Sequence, residues 1–452
     1  FSDCLLAGLA DDGGLFMPDQ WPSLDMGWFN RLSGVSYASL ATQLMLPYVE
    51  KDIPADDFAG IVENVYSPAT SQFKNAAICP LRQIGPNVWI MELFHGPTLS
   101  FKDMAMQLLG PLYDYVLKRR SEKVTILAAT SGDTGSAAIH GCMGRDNIDI
   151  VILHPHEKTS QVQRRQMTTV SAPNVHNIAV RGTFDDCQDM VKTLFGEDDF
   201  RRSMNLTAVN SINWARLMAQ MVYYFAASLS LGGPRRPVSF AVPTGNFGNV
   251  FSAYIAKQMG LTIDRLIIAN NPNDTLARFF ESGELRPGRV AASLSPSMDI
   301  QVPSNFERYL FELVRRDSDK VRTLMGDVKQ RSGFKLSVDM MSKAKDDFRG
   351  YSVSDSDTLE MISECYNSTG LLVDPHTAVG LQAAQAMHQD PETPLVVLGC
   401  AHPAKFPETV KKATGVSPQT PDRIDEMMHD EEHYTVIDND VSELRNYMNA
   451  IN

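Results

Sequence analysis

The chain has 452 residues, 43% hydrophobic and 21% charged, enough for two or three domains around a large core. Its 41 Lys and Arg against 54 Asp and Glu leave a net charge of −13, which makes it a poor candidate for nonspecific binding to nucleic acid or to an anionic membrane. Any anionic ligand must therefore be held by a local cluster of donors.

Six cysteines (Cys4, Cys79, Cys142, Cys187, Cys365 and Cys400) are scattered without a CxxC pair, which fits a reducing, cytoplasmic setting and not a disulfide framework or a zinc site. No apolar run reaches transmembrane length, and the most apolar long segment, Leu217 to Leu231, reads as a buried helix. The chain begins at Phe1 and not at a methionine, so further N-terminal residues are expected. The visible start is acidic with no base before Arg31, unlike a signal or transit peptide.

Residues 1–85 read as an N-terminal cap domain. Asp11-Asp12-Gly13-Gly14 is a turn, prolines divide the segment, and Tyr37 to Tyr48 and Ala55 to Tyr66 have helix-like apolar spacing. From residue 86 to 414 the pattern becomes strand, turn, helix, repeated. Strands are expected at Val124 to Ala129, Ile148 to Leu153, Val175 to Val180, Val238 to Val242, Leu266 to Ala269 and Leu395 to Leu398, with helices after most of them. Short apolar strands alternating with helices predict an α/β fold with parallel sheets, whose ligands sit beyond the carboxyl ends of the strands. The pattern lapses into charged helical segments between 283 and 351, expected as a helical insertion. Residues 415–452 read as an acidic C-terminal tail.

Lys102 stands out within MELFHGPTLSFKD (Met91 to Asp103), after a turn and before an apolar helical run. A free lysine has a pKa of about 10.4 and is a poor nucleophile at neutral pH. Burial and a helix N-terminus would both lower that value and suit Lys102 to act as a base or a Schiff-base amine. The bland alternative is a solvated lysine at a helix start.

Three strand-to-helix turns offer anion sites. In Thr130 to Ala138 (TSGDTGSAA), Ser131, Thr134 and Ser136 add hydroxyl donors, and Asp133 is either a helix cap or an odd neighbour for an anion. In Pro243 to Asn249 (PTGNFGN), glycines permit close backbone approach and Asn246 and Asn249 supply amides, which suits a phosphate monoester. No Gly-Lys-Ser/Thr follows, so this is not a nucleotide triphosphate loop. In Asn210 to Arg216 (NSINWAR), Asn210, Ser211 and Arg216 suit a second phosphate, though helix capping plus a surface arginine is the commoner case. His376 and His402 are read as hydrogen-bonded structural residues more readily than as bases. His154 and His156 lack a third ligand at metal spacing. A Schiff-base lysine with two phosphate cradles at sheet ends points to pyridoxal phosphate.

Eight collinear segments together resemble threonine synthase of the longer kind found in many bacteria and fungi. They are LLAGLADDGGLFMP, ELFHGPTLSFKD, ATSGDTGSAA, VNSINWAR, PTGNFGN, NPNDTLARFF, DPHTAVG and AHPAKFP. The resemblance implies a fold-type II, tryptophan synthase β-subunit-like enzyme with two parallel-sheet subdomains and pyridoxal 5′-phosphate between them. It implies conversion of O-phospho-L-homoserine and water to L-threonine and phosphate, by a monomer or homodimer acting on a small molecule. Lys102 matches the Schiff-base lysine. Gly245, Asn246, Phe247, Gly248 and Asn249 match the cofactor-phosphate loop. The TSGDTG loop, with Ser131, Asp133 and Thr134, matches the one facing the ring hydroxyl and the substrate carboxylate. Asn210, Ser211 and Arg216 match the substrate-phosphate residues, with Asn246 shared. Cys400 stands where the family usually has Ser or Thr against the pyridine nitrogen. An O-phosphohomoserine phospholyase giving 2-oxobutyrate and a non-catalytic cofactor-binding protein are the alternatives.

Overall fold

Apolar runs separated by turns pair into two largely parallel sheets in the computed structural model, which describes residues 1–451 apart from Ser131, Ser332 and Gln389. The larger sheet contains β1 (Leu81–Gly85), β2 (Val88–Glu92), β7 (Val238–Pro243), β8 (Ile263–Asn270), β11 (Phe348–Ser352) and β12 (Leu395–Gly399), in the order β1-β2-β12-β7-β8-β11. Only the β1/β2 hairpin is antiparallel. The smaller sheet contains β3 (Val124–Ala129), β4 (Ile148–Pro155), β5 (Val175–Arg181), β6 (Leu206–Thr207) and β13 (Thr435–Asp438), all parallel, in the order β13-β5-β4-β3-β6. β9 (Glu284–Leu285) and β10 (Phe334–Lys335) form a separate ribbon. The central strands β4 and β7 are buried along their whole length, as expected where helices cover both faces of a parallel sheet.

Each predicted strand forms within a residue or two of its expected start and end, apart from β8, which begins three residues early at Ile263. Two segments do more than their composition suggested. Within the expected insertion, β11 joins the larger sheet beside β8. It is an edge strand, FRGYS, with only Phe348 fully buried, so it lacks a central strand's apolar run. Gly350 lets it approach the helix Thr275–Ser282, since a Cβ there would lie 2.6 Å from Ala277 Cα. The expected tail supplies β13 and the helix Val441–Ile451, whose Leu444 and Met448 fill a core with Leu127, Val151 and Leu153.

The N-terminal helices Tyr37–Val49 and Ala55–Tyr66 pack on two long, largely buried helices, Trp214–Ser230 and Asp103–Arg120 respectively. Fully buried Arg308 extends the join, donating to Phe16 O at 3.0 Å, to Ile212 O at 2.7 Å and to Asn305 Oδ1. Among the described residues no helix is long and apolar enough to cross a membrane.

Candidate active site

The carboxyl ends of β3, β7 and β12 open on one cavity of about 1060 Å³. Its walls include Lys102, Asp133, Thr134, Asn210, Ser211, Arg216, Gly245 to Asn249 and Cys400. The structure therefore brings together every site residue expected from the sequence except Ser131, which lies outside the described residues. Ser136 turns inward to bond Asp133 O at 3.2 Å and is not part of the wall.

Lys102 sits at the N-cap of the helix Asp103–Arg120, 7% exposed. Its turn is clamped to the end of β12: Phe101 N donates to Cys400 O at 2.8 Å and His402 N to Leu99 O at 3.0 Å. Leu99 holds a φ of +59°, which costs roughly 1–2 kcal/mol in a non-glycine residue and persists because the surrounding bonds fix it. The Lys102 nitrogen donates to Asp133 Oδ2 and Ser297 Oγ, both at 3.2 Å. Sequence reasoning supplied the burial and the helix start but not this carboxylate partner.

Asp133 is not the cap of its helix, Asp133–Cys142. Thr130 Oγ1 caps instead, accepting from Gly132 N at 3.0 Å and Gly135 N at 2.9 Å. The Asp133 carboxylate accepts from Gln163 Nε2 at 2.9 Å and pairs with Lys405 at 2.8 Å as well as with Lys102. Burial pushes this carboxyl up, but Lys405 and Lys102 outweigh it and hold Asp133 well below the usual carboxylate range.

The PTGNFGN turn is built for an anion. Gly245 is required by crowding: a Cβ would lie 2.8 Å from Ser297 O. Phe247 adopts a φ of +65° to start the helix Gly248–Gln258, pinned by ring contacts with Phe306, Phe348 and Tyr309 at 5.3 to 6.0 Å. The Asn249 Oδ1 accepts from the hydroxyls of Tyr223 and Tyr224, which leaves its buried Nδ2 donors without a partner. The first amides of this helix are likewise free of intrahelical bonds. This donor set fits a phosphate.

The second cluster is organised by Arg216, which is 4% exposed. It donates to Val209 O at 3.2 Å, and its Nε is buried without a partner. Burial pushes the guanidinium down to about 10. Asn246 joins the two clusters: its Oδ1 accepts from Ser304 Oγ at 3.1 Å, which lies 3.4 Å from Ser211 Oγ. Asn305 completes the brace through Asn246 O at 3.0 Å and Ser211 O at 3.0 Å. Asn213 is structural, capping Trp214–Ser230 and donating to Leu5 O at 2.9 Å.

Cys400 is buried on the cavity wall, and burial, with Asp374 next, keeps its thiol well above the ordinary value and therefore neutral. His376 takes its structural reading: Nδ1 bonds Asp374 at 2.8 Å and Nε2 accepts from Ser297 N at 3.2 Å. His402 Nδ1 accepts from Ala404 N at 3.2 Å, and burial pushes that ring down to about 4. His154 is buried edge-on to Tyr434. The sequence missed Gln163, Ser297, Ser304, Asn305 and Lys405, and only AHPAKFP carried a hint, for Lys405.

Comparison with known proteins places the chain in a family. Three family models match: threonine synthase N terminus over residues 1–66, pyridoxal-phosphate dependent enzyme over 75–327, and threonine synthase, C-terminal, over 377–448. The threonine synthase of Pseudomonas aeruginosa is 49% identical over 451 residues, 99% of this chain and 95% of the relative. That of Saccharomyces cerevisiae is 40% identical over 446 residues, 91% of this chain and 86% of the relative. A crystal structure of PLP-bound threonine synthase from Brucella melitensis superposes with a TM-score of 0.96 at 48% identity, covering 100% of this chain and 96% of that one. The chain belongs to the threonine synthase family of pyridoxal-phosphate-dependent enzymes.

Proposed function

We propose that this chain converts O-phospho-L-homoserine and water to L-threonine and phosphate, using pyridoxal 5′-phosphate. The observation that carries the reading is that two clusters of unpaired buried donors, Asn249 with its turn and Arg216 with its turn, share one cavity with a buried lysine. One cluster suits the cofactor phosphate and the other a phosphorylated substrate. A threonine or serine dehydratase would have no use for the second.

Pyridoxal phosphate supplies an aldehyde that takes up amines and a ring that accepts the electron pair left at Cα when a proton is removed. Lys102 would carry it, and the turn Gly245, Asn246, Phe247, Gly248 and Asn249 would hold its phosphate. Asp133 would face the ring hydroxyl, and Cys400, a neutral thiol, would meet the ring nitrogen. Lys102 Nζ, once free, is the group that takes the α-proton and returns protons later in the cycle. Arg216, with Asn210, Ser211 and Asn246, binds the substrate phosphate and stabilises the charge it gains on leaving. Ser131 and Thr134 bind the substrate carboxylate. The enzyme acts on a small molecule as a monomer or homodimer, and its six free cysteines support a cytoplasmic setting.

Incubation of the protein with pyridoxal phosphate and O-phospho-L-homoserine should release phosphate and threonine in equal amounts. Phosphate with 2-oxobutyrate would make it a phospholyase, and no phosphate release at all would remove the assignment.

A further inference from the structure

Lys405 lies on the one-turn helix Pro403–Lys405, is 0% exposed, and is not part of the cavity wall. Its ammonium has three protons and three acceptors: Thr98 O at 2.8 Å, Gln166 Oε1 at 2.7 Å and Asp133 Oδ1 at 2.8 Å. Gln166 Nε2 also donates to Thr98 O at 3.0 Å, and Asp103 accepts from Thr98 N and Oγ1 at 2.8 and 2.7 Å. Lys405 is thus fixed to the turn that presents Lys102 and to the carboxylate that faces it.

The two lysines divide Asp133 between them. Lys405 and Gln163 hold Oδ1, while Lys102 and, at 3.5 Å, Ser297 reach Oδ2. Lys102 must lose its positive charge when it acts as a base. A carboxylate buried to 3% exposure with no other cation would then be driven to take a proton. Lys405 is fully buried behind the cavity wall, where substrate does not reach it, and its three acceptors hold the ammonium in place.

We infer that Lys405 is a positioning residue that keeps Asp133 ionised and in place while Lys102 gains and loses charge, so that a carboxylate faces the Lys102 nitrogen at every stage. The inference rests on the reading of Lys102 as cofactor-bearing lysine and base. It explains why an acid stands in a turn otherwise suited to anions: Asp133 has its own buried counter-ion.

The titratable groups that face this pair come from several elements. Asp133 and Lys102 face the Cys400 thiol, which burial keeps neutral, and Ser297, behind which stands the His376–Asp374 pair. Lys405 faces Asp103, His140 and His402, with Arg423 beyond. Burial pushes Asp103 up to about 6 and both histidines down to about 4.

The test is a pH titration of the holoenzyme and its Lys405→Gln variant, reading the visible absorption of the bound cofactor, kcat and KM. Lys405→Gln is expected to keep the cofactor band at high pH. The acid-side midpoint of both the spectrum and kcat should rise by one pH unit or more, about tenfold in proton affinity, while KM changes by less than about threefold. In an Asp133→Asn background the same substitution should move the midpoint no further. An unmoved midpoint in Lys405→Gln, or a full shift persisting in the Asp133→Asn background, overturns the inference. A wild-type protein without a cofactor band would instead sink the Lys102 reading. Should Lys405→Gln fail to fold, infrared difference spectra of wild type against Asp133→Asn decide: no protonated-carboxyl band from Asp133 is expected between pH 6 and 9, with or without substrate, and such a band refutes the proposal.

Discussion

Replacing Arg216 by methionine keeps the side-chain stem and removes the guanidinium, and its two consequences have opposite signs. In the protein alone, Arg216 is a buried cation with one carbonyl partner and an unpaired Nε. Burial that moves the group from 12.5 to about 10 corresponds to a cost on the order of 3 kcal/mol at 1.36 kcal/mol per pH unit. Arg216→Met should therefore leave stability unchanged or raise it by up to about 3 kcal/mol, where loss of a buried, fully paired group would lower it. Catalysis should respond the other way. Two charge-assisted bonds to a phosphate dianion, at roughly 1.5–3 kcal/mol each, amount to about 3–6 kcal/mol. That predicts a fall in kcat/KM on O-phospho-L-homoserine of about 10²–10⁴-fold, with the cofactor still bound through the other cluster. The assays are phosphate release, the visible cofactor band and urea unfolding with and without inorganic phosphate, which should stabilise the wild type and not the variant. A loss in kcat/KM below about fivefold with cofactor retained would refute the assignment of this cluster to the substrate phosphate.

Gly245→Ala puts a Cβ 2.8 Å from Ser297 O and 3.2 Å from Met298 Cα, so the cofactor dissociation constant, read by absorption titration, should rise about tenfold or more, near 1.4 kcal/mol. Asp103 is raised by burial from 3.8 to about 6, so the folded state binds this proton more tightly than the unfolded chain. The stability it contributes is full below about pH 3.8 and is lost as pH rises through 6. Urea unfolding from pH 4 to 7 should show wild type losing about 2.4 kcal/mol relative to Asp103→Asn across that window.

The sequence disclosed those parts of the fold whose chemistry repeats along the chain. Central strands such as β4 and β7 are buried on both faces and therefore written in continuous apolar residues. The turns after β3 and β7 must admit an anion, so glycine, hydroxyl and amide side chains crowd into a few positions. Edge strands have one solvated flank and less to declare: FRGYS and TVID lack a continuous apolar run, yet β11 and β13 close one side of each sheet. The bracing polar residues were harder still. Ser304 and Asn305 tie Asn246 to Ser211, but each is a lone polar residue in an irregular segment, and its partner is fixed only when the chain folds back on itself.

Lys405 shows why such a residue cannot be read from its neighbours, and why net charge is a poor guide to this site. In AHPAKF it looks like a solvated lysine, and its acid partner is 272 positions away in sequence (405 − 133). Burial changes its meaning. With water excluded, Lys102, Lys405 and Arg216 act at short range, and surface charges more than about 8 Å away are largely screened at physiological salt. A chain with a net charge of −13 can therefore hold two anions, because the cations that matter are desolvated and the excess acids lie mostly in water. The same desolvation makes those cations costly unless each has a partner. Lys405 has Asp133, Lys102 shares it, and Arg216 has one carbonyl and, among the described residues, no acid partner. On the proposed reading, the cation left least satisfied by the protein is the one that would gain most from a phosphate, and the second cluster, not the lysine, would separate a phosphate-eliminating enzyme from the dehydratases.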